Sequence, residues 1–212
     1  IEKRYLKINK NSSAICNYPI LTENGTLPLW ETRENTLCYV GGITEIRGIR
    51  EIIKVLEADP TLILNLAGEF SPPSLKEDII KMKGWKQVNY FGVVDRNKVV
   101  EILNQSKIGI VTLHPKQNYL DSLPIKMFEY MYAGMPVIAS DFPLWKQIIG
   151  KNSSGFCVDP FDIKSTLNLV HKLLKDQEGA KIMGESGRMA VIKEYNWSIE
   201  GEKLVQIYRQ LL

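Results

Sequence analysis

From Thr36 onward, short runs rich in β-branched and aromatic residues alternate with longer segments of helical periodicity. Parallel strands need long crossover connections, which are usually helices, so this alternation is typical of a parallel sheet covered by helices on both faces. The predicted strands are Leu37–Val40, Thr61–Ala67, Val88–Phe91, Ile108–Leu113, Val137–Ala139 and Phe156–Val158. The sequence therefore predicts an α/β fold, a Rossmann-like doubly wound parallel sheet of about six strands.

Helical segments fill the gaps between these strands and follow the last of them. The predicted helices are Ile49–Glu57, Leu75–Met82, Asp95–Gln105, Pro124–Ala133, Pro143–Ile149, Asp162–Lys175, Gly179–Glu194 and Ser198–Leu212. Asp95 and Asp162 are candidate N-caps, and Gly134 lies where a helix should end. Doubly wound sheets bind ligands beyond the carboxyl ends of their strands, so we look for function in the loops that follow the strands.

Composition narrows the classes of partner. The chain has 212 residues, enough for one full domain with appendages, and a net charge of +3 without a dominant basic tract, which argues against nucleic acid. No apolar run approaches the roughly 18 residues that span a bilayer. Cys16, Cys38 and Cys157 are too scattered for a disulfide framework or a zinc site, so we predict no metal and a reducing, cytoplasmic location.

The first 35 residues lack a clear period. They begin with basic residues and continue as a polar stretch that contains Pro19, Gly25 and Pro28. We interpret residues 1–35 as a linker or the trailing segment of a preceding domain. Residues 36–195 form the predicted domain, and residues 196–212 a C-terminal helix.

The loop after the first strand reads Tyr39-Val-Gly-Gly-Ile-Thr-Glu-Ile-Arg-Gly48. Because glycines have no Cβ, Gly41 and Gly42 would let backbone N–H groups approach a bulky anion, and Arg47 could add a charged contact to phosphate. Neither the dinucleotide fingerprint nor the P-loop motif is present. A tight turn with a solvated arginine is the alternative interpretation.

The segment from Asp121 to Pro136 is more informative. Pro124 suits the first turn of a helix, and an apolar stripe follows at Ile125, Phe128 and Tyr132. Glu129 lies within that stripe, where a carboxylate is costly unless it has a partner. That partner could be an internal salt bridge or a ligand.

Asp121 precedes Glu129 by eight residues. Two carboxylates that flank a helix N-terminus could hold hydroxyls at both ends of a ligand whose middle is a diphosphate, and the N-terminus itself favours that anion. A hydrolase pair of carboxylates about 5–10 Å apart is a further alternative that the linear spacing leaves open.

This segment resembles the E-x7-E region of the retaining, GT-B-fold glycosyltransferases of family 4, with Asp121 at the first acidic position and Glu129 at the second. Further motifs that resemble those of this family occur along residues 36–212. They are Tyr39-Val-Gly-Gly, Asn89-Tyr-Phe-Gly-Val93, Phe128-Glu-Tyr-Met, Ala133-Gly-Met-Pro-Val-Ile-Ala-Ser-Asp141, Gly155-Phe-Cys-Val-Asp159 and Tyr195-Asn-Trp-Ser198. The resemblance implies a hexosyltransferase-like, metal-independent enzyme without a cofactor. It would transfer a sugar from a nucleotide diphosphate-sugar to an acceptor with retention, in glycan, polysaccharide or glycolipid biosynthesis.

The resemblance also implies roles for individual residues. Glu129 binds the nucleotide ribose, Asp121 binds the transferred sugar, and Arg47 takes the place of the family's phosphate-binding lysine. Asp121 and Arg47 are thus the catalytic candidates. The remaining donor-binding positions are Gly41 and Gly42, the backbone of Ser122, Leu123, Pro124 and Ile125 for the phosphates, and Val93 near the base. The chain departs from the family at Gly42, where an arginine is common, and at Asp121, which replaces a glutamate.

As a whole, the resemblance identifies the chain as the donor-binding half of a GT-B enzyme. An acceptor-binding domain of the same polypeptide is expected before residue 1, with the helix of residues 196–212 packed back toward it. Any peripheral membrane association would come through that domain. The alternative is a non-catalytic nucleotide-sugar-binding module or inactive subunit, which the missing basic residue at Gly42 favours.

Other residues near the predicted site carry weaker signals. His114 could contact a ligand but is interpreted as an incidental loop residue, and His171 as a surface residue. Tyr119 and Trp145 are interpreted as packing residues. Lys126 could reach a phosphate or point to solvent.

Overall fold

The computed structural model describes residues 5–21 and 27–211. Six strands form one parallel sheet: β1 (Glu34–Val40), β2 (Ile63–Ala67), β3 (Val88–Gly92), β4 (Ser106–Val111), β5 (Val137–Ser140) and β6 (Gly155–Val158). Their spatial order is β3-β2-β1-β4-β5-β6. This order changes direction at β1, between β2 and β4, which is the arrangement of a doubly wound sheet. The predicted fold class is confirmed.

Helices connect the strands and close the chain. They are α1 (Ile49–Ala58), α2 (Pro73–Ile79), α3 (Arg96–Gln105), α4 (Gln117–Leu120), α5 (Ile125–Tyr132), α6 (Pro143–Lys151), α7 (Ile163–Lys175), α8 (Gln177–Lys193) and α9 (Trp197–Leu211). Short 3-10 helices cover Trp30–Thr32, Glu45–Arg47 and Lys83–Gln87. Both predicted N-caps are present, since Asp95 accepts from the Lys98 amide at 2.8 Å and Asp162 from the Ser165 amide at 2.9 Å.

The predicted helices differ from the structure mainly in two places. The helix predicted at Leu75–Met82 ends at Ile79, and a 3-10 helix follows it. Gly84 explains the change of direction, because a Cβ at this position would lie 2.4 Å from the Ile53 carbonyl oxygen. The turn thus passes directly against α1. The single-turn helix α4 was not predicted.

The sheet has a hydrophobic cluster on each face. Leu37 and Tyr39 of β1 contribute to one cluster, together with α1 and α7, while Cys38 and Val40 contribute to the other, with α3, α5 and α6. Side chains of a strand alternate between its faces, so β1 is buried on both. Helix α5 is therefore fixed against the second face, with its first turn at the carboxyl end of β1.

The N-terminal segment lies against the last helix. The Trp197 amide donates to the Pro19 carbonyl at 2.9 Å, and the Cys16 amide to Glu200 Oε2 at 2.7 Å. That α9 packs toward another domain stays a prediction. Residues 1–4, 22–26 and 212, which belong to the predicted linker and last helix, lie outside the described residues. None of the helices described here combines the length and apolar character that crossing a membrane requires.

Candidate donor-binding cleft

A cleft of about 480 Å³ opens beyond the carboxyl ends of β1 and β4. It is bordered by the loop after β1, the loop after β4 and the first half of α5. The lining residues are Val40, Gly41, Gly42, Arg47, Leu113, Asn118, Tyr119, Ser122, Pro124, Ile125, Lys126 and Glu129. Most of the residues predicted for the donor site are among them, although they come from two regions about 80 residues apart in sequence.

The glycine loop brings backbone close to the cleft. Gly41 has a φ of +113°, a left-handed conformation that side chains disfavour, and its amide donates to the Ala67 carbonyl at 2.9 Å. At Gly68, in the loop after β2, a Cβ would lie 2.0 Å from the Gly41 carbonyl oxygen. The two loops can approach this closely because residue 68 is a glycine.

Arg47 folds back over this loop. Its Nη1 donates to the Gly42 carbonyl at 3.0 Å, and the Tyr39 hydroxyl donates to the same oxygen at 2.8 Å. A Cβ added to Gly42 would lie 2.6 Å from Arg47 Nη1. The guanidinium therefore occupies the space that a side chain at position 42 would need.

Neighbouring groups hold the loop before α5 in place. The indole Nε1 of Trp145 donates to the Ser122 carbonyl at 2.7 Å, and Ser122 donates from its amide and its hydroxyl to the Tyr119 carbonyl, at 3.1 and 3.0 Å. Pro124 is the N-cap, so α5 begins one residue later than predicted. Its first turn borders the cleft and contains no acidic residue. The positive end of the helix dipole therefore faces a cleft suited to an anion.

Lys126 lies in that first turn and lines the cleft. Its Nζ is buried, has no hydrogen-bond partner within the described part of the chain, and lies 3.6 Å from the centroid of the Tyr39 ring. Burial lowers the pKa of Lys126 to about 7, and the charge of Arg47 adds to this effect, while Glu129 and Cys38 oppose it. Sequence reasoning left Lys126 undecided. The signal was a lysine in a helix's first turn, where the dipole disfavours a cation.

Glu129 forms an ion pair on the side of the cleft. Its Oε1 lies 2.5 Å from Arg96 Nη1 of α3, and its side chain is 15% exposed whereas that of Arg96 is 57% exposed. The salt bridge weighed as an alternative is thus present. It does not remove Glu129 from the cleft, where the carboxylate is part of the lining. Sequence reasoning missed Arg96, which is 33 residues away in the chain.

The two histidines have carboxylate partners. His114 Nε2 lies 3.0 Å from Glu51 Oε2, and the His114 amide donates to the Ile46 carbonyl at 2.9 Å, so this residue ties the loop after β4 to α1 and to the turn that carries Arg47. His171 lies on the surface, 2.8 Å from Asp59 Oδ2, as predicted. Within residues 5–21 and 27–211, no group of three or more His, Cys, Asp or Glu side chains is placed to hold a metal ion.

Comparison with known families agrees with this geometry. The model of the family described as "Glycosyl transferases group 1" matches residues 28–190, most of the chain. The chain belongs to the group 1 glycosyltransferases. The family resemblance inferred from the motifs is therefore confirmed.

Among group 1 relatives, the α-maltose-1-phosphate synthase of Mycolicibacterium smegmatis is 23% identical over 82% of this chain and 48% of its own length. The chain thus spans about half the length of that curated relative. A mutant of S. aureus TarM, solved with fondaparinux, α-GlcNAc-glycerol and UDP, superposes with a TM-score of 0.72 at 18% identity, over 98% of this chain and 42% of TarM.

The C-terminal domain of a group 1 glycosyltransferase (LpcC) from Francisella tularensis superposes with a TM-score of 0.65 at 20% identity. The match covers 85% of this chain and 96% of that domain. At these identities the solved structures show the fold alone, one Rossmann-like unit of the kind found in GT-B glycosyltransferases.

Three residues that the group 1 motifs assigned to the donor do not line the cleft. Asp121 is exposed and directly follows α4, Val93 is 76% exposed after β3, and Leu123 packs against the second hydrophobic cluster. Since Asp121 and Glu129 do not both line the cleft, the carboxylate pair that a hydrolase would need is not assembled within it.

Proposed function

We propose that this chain is the donor-binding part of a glycosyltransferase that transfers a sugar from a nucleoside diphosphate sugar to an acceptor. The proposal rests on one observation, the convergence of Gly41, Gly42, Arg47, Glu129 and the N-terminus of α5 on a single cleft. Each of these groups suits a different part of a sugar nucleotide. The proposed reaction retains the anomeric configuration and uses no metal or other cofactor.

In this proposal the diphosphate lies between the first turn of α5 and the Arg47 guanidinium. The helix dipole and the arginine both favour negative charge there, and that charge increases on the diphosphate as the sugar departs. Preorganised donors act most strongly where charge develops. Arg47 is held by the Gly42 carbonyl, so it needs little reorganisation when the ligand arrives.

Glu129 binds the ribose hydroxyls in the proposed complex. A carboxylate accepts from two hydroxyls at once, and such charge-assisted bonds are short and strong. Glu129 Oε1 already pairs with Arg96, which is largely exposed and can move aside or remain as a second partner. Asp121, next to Ser122 at the edge of the cleft, is assigned to the transferred sugar, and Val93 to the base.

The rest of the reaction is assigned to sequence outside this chain. An acceptor-binding domain of the same polypeptide would supply the acceptor site, in a cytoplasmic pathway that builds a glycan, polysaccharide or glycolipid. The chain by itself should bind nucleotide but transfer no sugar. Robust sugar transfer by the 212-residue chain alone would contradict this division of labour.

A non-catalytic nucleotide-sugar-binding module is the second candidate. The position of Asp121 outside the cleft lining and the absence of a side chain at Gly42 favour it. Donor hydrolysis by the complete polypeptide separates the two functions, because a catalytic site slowly transfers the sugar to water when no acceptor is present. A pure binding module leaves the donor intact.

Calorimetric titration of the chain with UDP, GDP and ADP tests the shared part of both candidates. We expect one of the three to bind at a single site, and its nucleoside to bind at least tenfold more weakly, because the phosphate contacts are lost. If none of the three nucleotides binds at millimolar concentration, the cleft is not a donor site.

A further inference from the structure

The amine of Lys126 is a buried cation that the protein leaves without a hydrogen-bond partner in its described part. Burying an ammonium is expensive unless something compensates for the lost hydration. The centroid of the Tyr39 ring lies 3.6 Å from the amine, and the face of the ring offers some compensation. A cation over an aromatic face recovers only part of that cost. Lys126 is also one of the residues that line the cleft, so its amine lies next to the space that a ligand would fill.

This amine and Arg47 lie beside the two glycines after β1, and Gly42 leaves the space that Arg47 occupies. A Cβ on Gly41 would lie 3.4 Å from both Cε and Nζ of Lys126. A Cβ on Gly42 would lie 2.6 Å from Arg47 Nη1. One cation therefore lies beside each glycine, Arg47 from the loop itself and Lys126 from α5.

Those two cations repel each other. The charge of Arg47 lowers the pKa of Lys126, and the dipole of α5 disfavours a cation in its first turn. The protein thus concentrates positive potential at one end of the cleft without an acidic residue in that turn to balance it. An anion placed between the two side chains relieves both effects at once.

We propose that Lys126 supplies the second positive charge of the diphosphate site, beside Arg47, and so replaces the basic residue that is absent at Gly42. This inference rests on the proposed function, since it takes the ligand to be a nucleoside diphosphate or its sugar. It adds a residue from α5 to a site whose other cation comes from the loop after β1. One phosphate then contacts Arg47 and the other contacts Lys126.

Binding should be coupled to proton uptake. With a pKa of about 7, Lys126 is mostly neutral in the free protein at pH 8, and a bound diphosphate stabilises its charged form. The other groups that face it are Cys38 and Tyr39 of β1, Arg47, and Glu129 of α5. Burial raises the pKa of Cys38 to about 12 and raises that of Tyr39 as well, so neither takes part near neutral pH.

The first experiment compares Lys126→Met with the wild type by calorimetry. The probe is whichever of UDP, GDP and ADP binds the wild type most tightly, together with its nucleoside. Lys126→Met should weaken the diphosphate roughly tenfold to a hundredfold and change nucleoside affinity less than about twofold. The matched control is Lys151→Met on α6, an exposed lysine paired with Glu194 away from the cleft, which should leave both affinities unchanged.

The second measurement needs no variant. Titrations at pH 8 in two buffers of different ionisation enthalpy should show uptake of about one proton per diphosphate bound, whereas the nucleoside should bind without it. Lys126→Met should abolish the uptake.

If the diphosphate binds wild type and Lys126→Met equally well and without proton uptake, Lys126 is not at the phosphates although the proposed function stands. If no nucleotide binds the wild type, both the proposed function and this inference fail.

Discussion

Polar side chains are buried at both ends of the strands, in the amino-terminal half of the sheet and beside the carboxyl ends, where α5 begins. The two regions differ in how the hydrogen-bonding groups of these side chains find partners. In the amino-terminal half, Asn65 Nδ2 donates to Thr36 Oγ1 and Ser106 Oγ, both at 3.0 Å, and Asn65 Oδ1 accepts from Asn89 Nδ2 at 3.0 Å. This network links β3, β2, β1 and β4 through protein groups alone. At the carboxyl end, the Lys126 amine has no such partner among the described residues.

The two buried cations differ in a similar way, although Arg33 Nε, like Lys126 Nζ, has no hydrogen-bond partner among the described residues. Arg33, 5% exposed, donates from Nη1 to the Ser106 carbonyl at 3.1 Å and from Nη2 to the Ala133 carbonyl at 2.6 Å. Burial, with a smaller effect from Arg188, lowers the pKa of Arg33 to about 10. Arg33 therefore stabilises the fold. The Lys126 amine has no hydrogen-bond partner among the described residues, so it is available to a ligand.

The largest expected effect concerns Arg33. Replacing it by methionine leaves the Ser106 and Ala133 carbonyls without these donors, so Arg33→Met should lower the free energy of unfolding by about 2–5 kcal/mol. Urea denaturation followed by circular dichroism measures the change. A loss below about 1 kcal/mol would mean that the amino-terminal half does not depend on this cation, and the contrast with Lys126 would disappear.

Arg47 lies between these two cases, because it has one protein acceptor and also borders the cleft. Arg47→Ala should weaken a nucleoside diphosphate roughly tenfold to a hundredfold and the monophosphate much less, with a loss that shrinks as salt is added. Calorimetry at two ionic strengths measures this.

The matched variant for Arg47→Ala is Glu129→Gln, which should weaken diphosphate and monophosphate by similar factors because both carry the ribose. Equal losses on both nucleotides for Arg47→Ala would remove Arg47 from the phosphate site.

Lys126→Met should stabilise the protein at pH 7, by roughly 1–2 kcal/mol, because it removes a buried amine without adding a polar group. The folded-state pKa of about 7 lies below the ordinary 10.5, so the unfolded chain binds more protons between these values. Wild-type stability should therefore rise with pH across that window, and the advantage of Lys126→Met should shrink. Urea denaturation at pH 7, 8.5 and 10 tests the trend. A constant difference would show that Lys126 does not titrate there.

The smallest effect is expected at Asp121. It is exposed and does not line the cleft, so Asp121→Asn should change stability by less than about 0.5 kcal/mol and leave affinity for the nucleoside diphosphate within about twofold. Binding of the complete sugar nucleotide should fall if Asp121 contacts the sugar. A large loss of affinity for the nucleotide alone would place this carboxylate inside the cleft.

The sequence predicted the sheet well because buried parallel strands are nearly continuous apolar runs, and each predicted strand overlaps an observed one. Errors arose where one residue meets a distant part of the chain. Gly84, in the 3-10 helix that follows α2, packs on the Ile53 carbonyl, and nothing in the adjacent sequence indicates that contact. Helix α4 has four residues, too few for a periodic pattern to be detected.

The candidate site was predicted where its parts are local motifs. Gly41 and Gly42 are adjacent, and Glu129 stands out as a carboxylate within an apolar stripe. The parts that depend on tertiary contacts were missed. Lys126 can be distinguished from a solvated lysine only once Tyr39 is known to lie beneath it, and the Arg96 partner of Glu129 comes from a different helix.

The buried indole of Trp145 gives this molecule an optical property. Its N–H bonds to the carbonyl of Ser122, a residue of the cleft lining, so the ring shares a hydrogen bond with the proposed ligand site without being in contact with solvent. Indole fluorescence responds to its hydrogen bond and to nearby charge. A nucleotide that binds at the loop before α5 would shift this emission. Nucleotide binding can then be followed by intrinsic tryptophan fluorescence, without a label.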